Sequence, residues 1–217
     1  MKPLNNIKIH WSPEFAYAVG LITTDGNLSQ DGRRINFTSK DEQLVELFKS
    51  CLKLRNKIGR KSSGTTKEKK YFLIQSGDVI FHKFLQSIGL TANKSKTLGA
   101  IEVPDKYFFD FLRGHFDGDG TFYSYWDPRW RSSFMFYTVF ISASQKHILW
   151  LQEEIFNRLG IRGHITKSGK QACYQLKYAK TESYRLLPKI YCCGSKLCLS
   201  RKYLKIKTAL AIIGKKF

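Results

Sequence analysis

Acidic residues are scarce in this chain: 17 Asp plus Glu stand against 37 Lys plus Arg, a formal net charge of +20 at pH 7. So large a cationic excess goes beyond what solubility needs and points to a polyanionic partner, either nucleic acid or an acidic membrane surface. Long apolar runs are missing as well. The aliphatic run near the end, Ala209 to Gly214, is far short of the roughly 20 residues of a spanning helix, so the membrane is the weaker of the two partners. No N-terminal stretch joins a basic start, an apolar block and a small-residue cleavage site, and an intracellular, reducing compartment is expected. The cysteines Cys51, Cys173, Cys192, Cys193 and Cys198 are odd in number and lack paired C-x-x-C spacing. Ordinary buried thiols are therefore expected rather than a zinc site at the last three. A length of 217 residues leaves open one large core or two smaller units.

What the sequence does contain is a phrase written twice. GLITTDGNL begins at Gly20 and GHFDGDGTF at Gly114, 94 residues on, each reaching Asp-Gly after a run of aromatic and aliphatic residues. Each is preceded by a helix start: Ser12 as cap with Pro13 and Glu14 in the first turn, and Pro104 or Asp105 in the second copy. After the first phrase, Asp31-Gly32 reads as a two-residue hairpin turn. A helix follows, with Ser39 and Glu42 as a capping box and Leu44, Leu47, Phe48, Cys51 and Leu52 on one face. A second ribbon is expected over about Lys57 to Ser63 and Tyr71 to Ser76, then a helix from about Asp78 to Ser87. The second half retraces this order. It has a longer hairpin, a helix ended by Gly160, a ribbon turning at Ser168-Gly169, a helix near Glu182 to Tyr191 and a basic tail helix from about Ser200. The pattern predicts an α+β chain of two pseudo-twofold αββαββα halves, residues 1–100 and 101–217.

The doubled phrase carries chemistry if its two helices pack together. Gly20 and Thr24, like Gly114 and Gly118, lie four apart, and a stripe of small residues lets helix backbones approach closely. The helix ends would then bring Asp25 and Asp119 together, with Gly26 and Gly120 taking the turns that end each helix. Two carboxylates at adjacent helix C-termini repel each other and oppose both helix dipoles. Divalent cations relieve that repulsion. Metals held by carboxylates and a phosphate stabilise the attacking and leaving oxygens of an in-line displacement. The ribbons, meanwhile, are rich in cations: Arg33, Arg34, Lys57, Arg60 and Lys61 in the first half, and Arg129, Arg131, Arg162, Lys167, Lys170 and Lys177 in the second. Cations on two-stranded ribbons suit a reader of the DNA major groove.

The stretches FAYAVGLITTDG and FFDFLRGHFDGDG resemble the two motifs of the single-chain LAGLIDADG homing endonucleases, and the resemblance runs from about Ser12 to Lys207. Thr23-Thr24 and His115-Phe116 depart from the family's wording, while the small-residue stripe and terminal acids are kept. The resemblance implies a site-specific double-strand endonuclease of mobile-intron origin, acting as a monomer on double-stranded DNA with its sheets in the major groove. It makes Asp25 and Asp119 catalytic and, with Gly26 and Gly120, ligands of magnesium, with calcium or manganese able to take the same sites. It also implies a basic residue beside the scissile phosphate. Aligning Ser95 with Ser200 selects Lys96 in the first half and leaves Arg201 and Lys202 unseparated in the second. Lys40 and Gln145, just before matched helices, are placed to reach the same centre, whereas His115 and Asp117 are assigned to packing or the surface. With no terminal His-Asn, a free-standing form is expected rather than one embedded in an intein. Two alternatives stay open: a maturase binding intron RNA on the same scaffold, and a DNA-binding regulator that does not cut.

Overall fold

The first helix begins where the sequence places its start. Ser12, in extended backbone, accepts a 3.2 Å hydrogen bond from the Phe15 N–H, and Pro13, which has no N–H to leave unpaired, opens α1 (Pro13–Asp25). The order then runs β1 (Gly26–Leu28), β2 (Arg34–Ser39), α2 (Glu42–Cys51), β3 (Gly59–Lys61), β4 (Tyr71–Gly77) and α3 (Val79–Ser87). The second half repeats it as α4 (Phe108–Gly118), β5 (Thr121–Trp126), β6 (Phe134–Ser142), α5 (Gln145–Leu159), β7 (His164–Ser168), β8 (Cys173–Tyr178) and α6 (Lys180–Ile190). A further helix, α7 (Ser200–Ile212), follows where the first half has only a 3₁₀ turn at Lys94–Lys96. The computed structural model describes residues 6–62, 68–168, 173–191 and 197–215.

Each half builds one four-stranded, wholly antiparallel sheet, ordered β1-β2-β4-β3 in the first and β5-β6-β8-β7 in the second. The fold is thus α+β with the αββαββα unit occurring twice. Strand alternation sends Ile35, Phe37 and Ile74 to the helix-covered side of the first sheet, where Phe37 stacks on Phe48 of α2 at 4.5 Å. In the second half Phe136, Phe140, Leu176 and Tyr178 are buried, as are Ile148, Leu151 and Ile155 of α5 and Leu186, Leu187 and Ile190 of α6. Among the described residues no helix is long and apolar enough to cross a membrane.

Two compact units divide the chain: Met1–Lys94 with Ile101–Gly118, and Ser95–Ala100 with Asp119–Phe217. The motif helix α4 therefore groups with the first-half elements, although the repeat in the sequence divides at 100 and 101.

Several local expectations differ from the structure. Ser39 does not cap α2; it ends β2, its Oγ accepts from the Asp41 N–H, and Asp41 holds the cap position. On α2 the buried residues are Leu44, Val45 and Phe48, with Leu47 only half-buried. Asp31-Gly32 lies inside a longer connection closed by the Ser29 N–H on the Arg34 carbonyl, with Gly32 at φ +71°. The second motif helix is preceded by a 3₁₀ turn, Asp105–Tyr107, and starts only at Phe108. Gly26 does not take a left-handed turn; at φ −82° and ψ 146° it passes directly into β1. The turn expected at Ser168-Gly169, the tip after Lys61 and Cys192 and Cys193 fall wholly or partly outside the described residues.

Candidate active site and nucleic-acid interface

The two motif helices touch backbone to backbone within the first unit. A Cβ on Gly20 would stand 2.1 Å from the Phe111 carbonyl oxygen, and one on Gly114 would stand 2.1 Å from that of Tyr17. Only glycine permits this crossing. One turn further on, Thr24 fills the space over Gly118, whose absent Cβ would lie 2.0 Å from Thr24 Oγ1 and 3.3 Å from Asp25 Oδ2. The crossing also carries a buried polar link, the Tyr17 hydroxyl donating to Asp117 Oδ2 at 2.8 Å. Burial first, and the Asp117 charge second, push the Tyr17 hydroxyl well above its ordinary value. Arg113, 2% exposed, pairs with Asp110 at 2.7 Å and lies over the Tyr17 ring. Asp117 and His115 are both buried, so of the two roles left open for them packing applies.

At the foot of α1, Asp25 is the last helical residue and is half-buried. The next residue must be glycine, because a Cβ on Gly26 would meet the Ile22 backbone at 2.6 Å. The Gly26 carbonyl accepts from the ammonium of Lys94, which is 6% exposed. The second unit repeats this arrangement: Asp119 is exposed, Gly120 is buried, and its carbonyl accepts from Lys202 Nζ at 2.5 Å, with Lys202 7% exposed. Burying an ammonium is costly unless a polar group meets it, so each clasp fixes the backbone beside an acid. Lys96 and Arg201 are exposed, and Lys94 and Lys202 are the buried pair. Matching the serines misses this equivalence, because Lys94 belongs to a 3₁₀ turn and Lys202 to the first turn of an α-helix, which present side chains in different register. The Cys173 thiol is raised, first by burial and then by the Asp119 charge.

Among the described residues no group of three or more His, Cys, Asp or Glu is poised on a metal. The carboxylates of Asp25 and of Asp119 each offer hard oxygens, of the kind that suit magnesium, manganese or calcium.

Beside Asp25 the open face of the first sheet forms a concavity of about 460 Å³ lined by Asn27, Asn36, Thr38, Lys61, Leu73 and Gln75. The expected cations divide among several places. Lys61 lies in the concavity and Arg34 points outward from the same strand face, 3.3 Å from Asp31. Arg60, by alternation, faces the opposite side, its guanidinium 4.6 Å from the Phe72 ring centre. Arg162 lies 4.3 Å over Phe156 and Lys167 5.9 Å over Tyr174, while Lys40 lies 5.4 Å over Tyr71. Arg33 and Lys57 are exposed in connections, and Gln145 is exposed as the first residue of α5. Arg129 is tied to Asp127 at 3.0 Å, and Arg131 is exposed in the same hairpin turn. The hydrogen bonds from Arg129 hold Asp127 below the usual carboxylate range. Lys177 pairs with Val139 and His164 in the second sheet, on the face opposite Lys167. Lys170 lies outside the described residues.

Sequence reasoning missed the aromatic character of the second sheet. Tyr123, Tyr125 and Tyr137 stack almost parallel, with ring centres 5.2 to 6.5 Å apart, and Trp130 at the hairpin turn is 69% exposed. Tyr123 and Tyr125 two apart on one strand were the available signal.

No protein-family model matches the sequence, and no curated protein matches it. Solved structures do share its fold. The meganuclease I-SmaMI bound to uncleaveable DNA aligns at a TM-score of 0.60 with 16% identity, over 94% of this chain and 93% of its own. The LAGLIDADG homing endonuclease I-LtrWI bound to target DNA aligns at 0.59 with 15% identity, over 93% and 91%. The N-terminal LAGLIDADG domain of DUF199/WhiA aligns at 0.54 with 15% identity, over 83% and 82%. Identities this low speak to architecture, and one architecture serves more than one function. With more than nine-tenths of each chain aligned, the chain has the fold of the single-chain, two-motif LAGLIDADG homing endonucleases.

Proposed function

We propose that this chain is a site-specific DNA endonuclease that makes a metal-dependent double-strand break in a long, asymmetric site. The observation that carries the reading is the duplicated clasp: in each half an aspartate stands at the end of a motif helix, followed by a glycine whose carbonyl is held by a buried lysine. Two similarly supported acids provide one centre for each DNA strand. Asp25 and Asp119 would hold magnesium, which when bound supplies charge stabilisation for in-line displacement at phosphorus. Lys94 and Lys202 position the backbone that carries the acids. The open sheet faces, with Arg34, Lys61 and Lys177 among their cations, engage the major groove, while exposed Arg33, Lys57 and Arg131 add attraction for phosphates. The charge of +20 supports a polyanionic partner, and the DNA-bound relatives of like fold support duplex DNA.

The test is to incubate the purified chain with a plasmid library of randomised target sites and magnesium, then sequence the ends produced. Recurrent ends at one sequence, absent in chelator, are expected. Binding to a preferred sequence with no cutting in any divalent metal would replace this reading with that of a DNA-binding regulator.

A further inference from the structure

The register of the first sheet sets Asn27 directly opposite Asn36, and Asn36 directly opposite Gln75, so three carboxamides lie side by side across β1, β2 and β4. All three line the concavity beside Asp25. Neighbouring strands lie about 4.8 Å apart, so the row spans roughly 10 Å, within the roughly 12 Å width of the DNA major groove. Asn27 and Gln75 are exposed, while Asn36 between them is half-buried, its side-chain oxygen buried with no hydrogen-bond partner among the described residues. Within a face that also carries Thr38 and Lys61, the row repeats one functional group that both donates and accepts.

That dual character selects among bases. In the major groove guanine offers two acceptors, which call for two donors such as those of Lys61, and cytosine offers only a donor. Thymine offers an acceptor and a methyl group. Adenine alone offers an acceptor at N7 beside a donor at N6, the complement of a carboxamide. Resting on the DNA-endonuclease reading above, we propose that the row Asn27, Asn36 and Gln75 specifies adenine in the part of the half-site that the first unit contacts nearest its acid. At the register-equivalent places the second sheet holds Thr121, Val139 and Lys177 rather than three carboxamides, so the adenine preference belongs to one half-site.

Gln75 is the residue to change, because its exposure allows substitution without disturbing the core. Randomised duplexes bound in calcium by the full-length chain are recovered by gel shift and sequenced, for wild type, Gln75→Glu and Gln75→Ala, beside a matched randomised RNA pool. Wild type is expected to enrich adenine at positions on one side of the site centre, by roughly 5- to 150-fold over other bases at each contacted position. Glutamate accepts but does not donate, so Gln75→Glu should exchange one adenine for cytosine, and Gln75→Ala should leave that position indifferent. A selected DNA site in which no position responds to Gln75, or whose responding base is not adenine in wild type, overturns this proposal while leaving the endonuclease reading intact. Enrichment of RNA alone, or of no sequence at all, overturns both.

Discussion

Substituting Gly20 by alanine probes the helix crossing that supports Asp25. The new Cβ would stand 2.1 Å from the Phe111 carbonyl oxygen and 2.7 Å from the His115 nitrogen, both backbone atoms that cannot rotate aside. Restoring an ordinary contact of 3.4 Å requires α1 and α4 to part by 3.4 − 2.1, about 1.3 Å, at this point. Alanine gains about 1 kcal/mol in helix propensity over glycine. Against this stand an overpacking cost of about 1–3 kcal/mol and the loss of contacts made by fully buried neighbours such as Leu21 and Ile22. A net destabilisation of about 2 kcal/mol is expected, and Gly114→Ala should match it because its clash with Tyr17 is equal. Urea unfolding measures it, with Gly99→Ala as control, since a Cβ on Gly99 meets nothing within 4 Å. A Gly20→Ala chain as stable as wild type, within about 0.5 kcal/mol, would refute the backbone-contact crossing.

Asp25→Asn and Asp119→Asn are each expected to abolish double-strand cutting in magnesium while keeping sequence-selective binding by gel shift, because the amide keeps the shape and loses the charge. Lys94→Met should slow cutting at least tenfold in a single-turnover assay and Lys96→Met much less, since only Lys94 meets the Gly26 carbonyl. An alkaline titration of stability tests the buried acids. Burial pushes the Cys51 thiol up to about 12 from 9.0 and raises the Tyr17 and Tyr178 hydroxyls above 10.0. Because the fold keeps protons that the unfolded chain releases, their contribution is whole below pH 9 and is lost as pH rises from there toward 12, at about 1.4 kcal/mol per pH unit for each group once its unfolded form is ionised. Flat urea midpoints from pH 9 to 11 would contradict that burial.

Most elements were legible because helix and strand periodicities are local and occur twice. What failed depended on partners distant in sequence or on the exact exit of the chain. Ser39 followed by Glu42 has the spacing of a capping box, but β2 pairs with β4 as far as Ser39 and holds it in a strand. Gly26 has the identity of a left-handed helix terminator, yet pairing with Phe37 draws it straight into β1. The repeat singles out Asp25 and Asp119 as matched positions, whereas it does not single out Lys94, whose burial depends on reaching a carbonyl 68 residues away. The carboxamide row was hidden for the same reason: Asn27, Asn36 and Gln75 come together only through strand register, which composition does not reveal.

The meeting of Thr24 with Gly118 bears on how this molecule tells itself from its own duplicate. In the doubled phrase these two residues occupy the same place, so each motif helix presents a different size to the other at equivalent positions. A second copy of α1 offered to the first would bring threonine against threonine where there is room for only a hydrogen. The Tyr17–Asp117 bond is likewise one-sided, since the matching positions hold Phe111 and Thr23, and Thr23 donates to Val19 in its own helix. The two helices have thus become an unlike pair in which self-association is disfavoured by steric collision and by loss of the Tyr17–Asp117 bond. Divergence of this kind is a ratchet: once the contact is specialised, each motif helix fits its unlike partner better than a copy of itself, and a change on one side calls for an answering change on the other.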